Sequence, residues 1–91
     1  MSWYVAVSLC TLLTGDVQEQ CDGPFIVNLP RPTKEQCSEL KDDYRTLVSD
    51  LVHKDAAKEG KRVLRVTTNA ECFDQPMVDK FLKQYGSSRL I

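Results

Sequence analysis

Residues Trp3–Leu12 form an uninterrupted run in which both alternating sets of side chains are largely apolar: Trp3, Val5, Val7 and Leu9 on one side, Tyr4, Ala6, Ser8, Cys10 and Leu12 on the other. Successive side chains of a β-strand point to opposite faces. A strand that is apolar on both faces belongs in the middle of a sheet, with something packed on each side. In 91 residues there is room for a single domain, with a core of about one helical layer on one sheet. The run therefore predicts the central strand of a small α+β domain.

The same run is too short for a membrane-spanning helix, which needs about 20 apolar residues. It also lacks the flanks of a secretory leader, because no Lys or Arg precedes Arg31 and Leu13 stands where a small residue should precede Gly15. Cleavage near Gly15 would discard Cys10 and leave three cysteines, an awkward number for pairing. The compartment stays open: the extracellular space if the cysteines are oxidised, a reducing cytoplasm if they are free thiols.

The rest of the chain supplies the neighbours of this strand. Thr14, Gly15 and Asp16 break it, and Asp22, Gly23 and Pro24 introduce a second strand, Phe25–Leu29, with Phe25, Val27 and Leu29 inward and Cys21 in the same phase. Pro30 and Pro32 stop that strand. Thr33 and Gln36 have the spacing of a capping box. Behind them Cys37, Leu40, Tyr44, Leu47, Val48, Leu51 and Val52 make a helical stripe that ends by Gly60. A third strand over residues 61–69 carries Cys72 in phase with Leu64, Val66 and Thr68. Asp74 caps a short second helix striped by Met77, Val78, Phe81, Leu82 and Tyr85 and stopped by Gly86.

The predicted order is β-β-α-β-α: residues 3–72 are the core and residues 74–86 the C-terminal helix. Placing the two-sided strand centrally gives the sheet order 2-1-3, with the long helix on one face. In this arrangement Cys37 lies near Cys10, which favours the disulfides Cys10–Cys37 and Cys21–Cys72, although the second pair starts from opposite ends of the sheet. The other face, with Trp3, Val5, Val7, Leu9 and Val63, is left for the C-terminal helix or for another protein molecule to cover. An uncovered apolar face of that kind marks a protein-binding surface.

Charge and motifs narrow the function classes. Residues 1–30 contain three acids and no base, whereas residues 31–91 carry twelve bases against ten acids, a balance of +2. That is no basic stripe for nucleic acid. The cysteine gaps of 11, 16 and 35 residues do not match paired zinc ligands, and no C-x-x-C marks a redox site. His53, the one imidazole, sits near a helix end, a favourable place for it in a purely structural role. Asp42 and Asp43 are adjacent on a helix and point about 100° apart, so they cannot act as a pair. The glycines are isolated at element ends, and the C-terminal helix has too weak a basic face for a membrane surface. The expectation is a noncatalytic protein-binding module, acting on a partner or on itself, without cofactor, metal or small-molecule substrate. Its rival is a cysteine-dependent redox or metal-binding module.

Over residues 3–72 the placement of the cysteines, with Cys10 in the first strand, Cys21 before a Pro24-Phe25 strand, Cys37 opening a helix and Cys72 ending the last strand, resembles that of small uncharacterised proteins of tailed bacteriophages and proteobacteria. The resemblance implies a compact β-β-α-β unit and a viral origin, as a modulator of a host protein or a minor virion component. It carries no catalytic residue.

Overall fold

In the computed structural model, which describes residues 2–91, the strands β1 (Trp3–Leu13), β2 (Gln20–Ile26) and β3 (Val63–Asp74) form one antiparallel sheet in the order β2-β1-β3. Helix α1 (Lys34–Lys58) joins β2 to β3, and α2 (Gln75–Tyr85) follows β3 directly. Both helices start where the capping residues predict. The Thr33 hydroxyl oxygen accepts from the Gln36 N–H at 3.2 Å, and the Asp74 carboxylate accepts from the Met77 N–H at 3.0 Å. Each satisfies an amide that has no partner inside its helix.

The central strand is covered on both sides, but the layers are exchanged relative to the prediction. Helix α1 lies on the face of Trp3, Val5 and Val7, where Cys37, Leu40, Tyr44 and Val48 pack against them and against Val27, Ala70 and Cys72. The opposite face receives α2, whose Val78, Phe81 and Leu82 pack on Tyr4, Ala6, Ile26 and Phe73. Leu47 and Leu51 do not join the α1 core stripe and remain 49% exposed. Helix α1 sits over β1 and β3, and by helical spacing the two leucines fall on its flank away from the groove that borders β3.

Two strand boundaries also move. β2 pairs with β1 from Thr11↔Gln20 to Ala6↔Ile26, earlier than Phe25–Leu29, and β3 stays paired as far as Trp3↔Asp74, beyond Asn69. Between Val7↔Phe25 and Leu9↔Asp22 the second strand carries one extra residue, a bulge centred on Gly23. Gly23 has φ +98°, and a Cβ there would stand 2.9 Å from the Ser8 Cα and the Val7 carbonyl oxygen. Gly23→Ala is thus expected to cost about 1–3 kcal/mol, from a left-handed backbone and a contact with no space to relax. Chemical denaturation of the two proteins side by side checks this, and equal midpoints would refute it.

The bulge also decides the cysteines. It reverses the phase of β2, so that Cys21 comes opposite Cys10 on the α2 side of the sheet, out of phase with Phe25. Cys72 is opposite Val5 on the α1 side, beneath Cys37. The bonds are Cys10–Cys21, with Cα atoms 4.0 Å apart, and Cys37–Cys72, at 6.1 Å. The predicted pairs Cys10–Cys37 and Cys21–Cys72 would each have to pass through the sheet.

Candidate interaction edge

The face predicted to bind a partner is interior. Val5 is fully buried and Val7 is 3% exposed, both under α1, while Trp3, Leu9 and Val63 are half-buried. Trp3 is held further by its backbone, which exchanges two 2.8 Å hydrogen bonds with Arg31, and by Lys34, whose Nζ lies 5.7 Å from the centre of its ring. Neither α2 nor a second molecule is needed to cover this face. The other chemistry-bearing groups are spread out. His53 donates from Nδ1 to the Ser49 carbonyl of its own helix at 2.8 Å, on the surface. Cys10 and Cys21 are close to the Glu19 carboxylate, which in turn holds Arg65 at 2.6 Å.

The two outer strands of the sheet differ in how they present their free sides. β2 is seven residues long, contains Pro24 and the bulge, and has its end closed by the chain's own tail. The Ile91 N–H donates to the Ile26 carbonyl and the Asn28 N–H to the Ile91 carbonyl, each at 2.9 Å, while the Arg89 guanidinium lies 5.2 Å from the centre of the Phe25 ring. β3 is twelve residues long, without proline, glycine or lysine, and among the described residues no hydrogen bond reaches its outer side. Short strands, prolines, bulges and lysines are the usual devices that keep an edge from pairing with another chain. β2 has several of them. β3 has only a bulge at its start, between the pairs Leu12↔Arg65 and Leu13↔Val63.

The hydrogen-bonding phase of this edge follows from the ladder. The Val27 N–H donates to the Val5 carbonyl at 2.8 Å, so the odd residues of β1 turn their peptide groups toward β2 and the even ones toward β3. Ser8 is opposite Asn69 and Cys10 opposite Thr67, which leaves Val66, Thr68, Ala70 and Cys72 with N–H and C=O directed away from the sheet. Their side chains lie on the α1 side, half-buried, whereas Arg65, Thr67, Asn69 and Glu71 are exposed on the α2 side. A groove open to solvent runs beside the edge, floored by Val66 and Thr68 and walled by Asp42, Arg45, Thr46, Ser49 and Asp50 of α1.

Comparison with family models, with curated proteins and with solved structures finds no match. None of the described helices is long and apolar enough to cross a membrane.

Sequence reasoning directed attention to a sheet face and missed the sheet edge. A signal was present: the stretch from Val63 to Asp74 has no strand-breaking residue, and the order 2-1-3 makes it an outer strand.

Proposed function

We propose that the protein is a small noncatalytic binding module that accepts a strand from another polypeptide along the free side of β3. The observation that carries this reading is the uncovered run of outward peptide groups at Val66, Thr68, Ala70 and Cys72, in a protein whose other edge is shortened, bulged and closed by its own tail. Main-chain hydrogen bonds would supply affinity, and the exposed Arg65, Thr67, Asn69 and Glu71 would supply selectivity. A modulator of a host protein and a virion part could both work through such an edge.

A displayed library of random dodecapeptides, selected on the immobilised protein, tests the proposal. Enriched peptides are expected to slow amide exchange at Val66, Thr68 and Ala70, which is fast in the dilute free protein. They should lose binding to Thr68→Pro, which removes an outward donor and leaves the pairing with β1 intact. Enrichment of peptides that protect a different surface, or unaltered binding to Thr68→Pro, would reject the edge.

The rival reading, a cysteine-dependent redox or metal-binding module, has one observation in its favour. The Cys10–Cys21 bond is at the surface beside the Glu19 carboxylate, with Cys21 exposed.

A further inference from the structure

We propose that the occupant of the β3 edge is a second copy of this chain, paired antiparallel about a two-fold axis through Thr68 to close a six-stranded sheet. The inference rests on β3 being a docking strand, and it adds the identity and register of the partner.

Two identical edges can pair only if outward peptide groups meet outward peptide groups, and those belong to the even-numbered residues of β3. With the axis at Thr68, Thr68 meets its own copy and Val66 meets Ala70. The intervening pairs are then Thr67 with Asn69 and Arg65 with Glu71, all four exposed on the same side of the sheet. Each dimer gains two Arg65–Glu71 pairs by symmetry, in the close cross-strand positions where opposite charges attract and like charges repel. Moving the axis by one residue sets Arg65 against Asn69 or Phe73 and leaves Glu71 facing Val63 or Thr67. Charge complementarity therefore selects one register.

The surroundings fit a two-fold as well. The wall of the groove beside β3 carries both signs, with Arg45 between Asp42 and Asp50, so each copy brings one cation and a balance of only −1 to the approach of the two α1 helices across the axis. The existing Arg65–Glu19 contact is compatible, because a guanidinium has five N–H donors and Arg65 uses one nitrogen for Glu19.

Sedimentation equilibrium of the full chain is expected to show a reversible dimer. E71R places guanidinium groups opposite each other twice per dimer and should raise the dissociation constant about tenfold or more. The exchange R65E/E71R restores opposite signs and should return it to within about threefold of the wild type. Thr68→Pro should be monomeric with a melting temperature close to that of the wild-type monomer. A wild-type chain that stays monomeric at its highest soluble concentration overturns the proposal, and so does a dimer that responds equally to E71R and to the exchange. A monomer whose selected peptides still protect Val66, Thr68 and Ala70 rejects self-pairing but keeps the edge. A dimer that persists in Thr68→Pro rejects both.

Discussion

Replacing Cys37 and Cys72 together by alanine is expected to remove about 4 kcal/mol of stability, the larger of the two disulfide effects. The bond closes a 35-residue separation and ties α1 to β3 at a point where Cys37 has no solvent exposure. In the chain-entropy model such a loop is worth about 4 kcal/mol and the 11-residue separation of Cys10–Cys21 about 3 kcal/mol. A domain of this size has about 5–15 kcal/mol in all, so the first change consumes a large part of it. Urea unfolding of the two double variants without reductant gives the comparison. A loss below about 1 kcal/mol for the Cys37 and Cys72 pair would mean that packing alone holds the helix on the sheet.

Val7→Asp is expected to prevent folding. Had Val7 lain on an open binding face, the same change would have dissociated a complex and left the fold alone. Val7 instead lies under α1, in register with Phe25 on one side and Ala70 on the other. An ionised carboxylate there has no partner and no water, a cost of at least about 4 kcal/mol. Leu64→Asp is the control: Leu64 is 61% exposed, and its replacement should stay within about 0.5 kcal/mol of the wild type. Thermal melts followed by circular dichroism separate the outcomes. A cooperative melt of Val7→Asp near the wild-type temperature would contradict the burial of this face.

Much of the architecture was legible because each element carries its own local signal. Thr33 and Asp74 announce helix starts by side-chain oxygens at the right distance from the stripe, and the run beginning at Trp3 is central because both of its faces are apolar. What could not be read is which face receives which helix. The Val5 and Val7 set and the Tyr4 and Ala6 set are both good partners for a helix, so alternation alone has no preference. The cysteine pairing failed for a related reason. Phase counted along β2 carries straight through Gly23 on paper, whereas in the sheet the bulge there turns Cys21 to the opposite face from Phe25. The long edge was hidden by Asn69, Ala70 and Glu71, whose low strand propensity suggests an end. Pairing with β1 overrides that preference as far as Asp74.

The two disulfides give the chain a particular topology under cutting. They are sequential, 10 to 21 and 37 to 72, and neither bridges residues 22–36. A single break between residues 37 and 72, for instance beside the exposed Lys54 or Lys61, leaves the two fragments covalently joined. One break between Ile26 and Cys37 divides the molecule into a β1–β2 hairpin and a helix-bearing remainder that share no covalent bond. In that stretch the basic residues are Arg31, which precedes Pro32, and Lys34, in the first turn of α1. The short segment entering α1 therefore joins the two cross-linked halves through the backbone alone, as the chain after Cys72 alone ties α2 to the sheet.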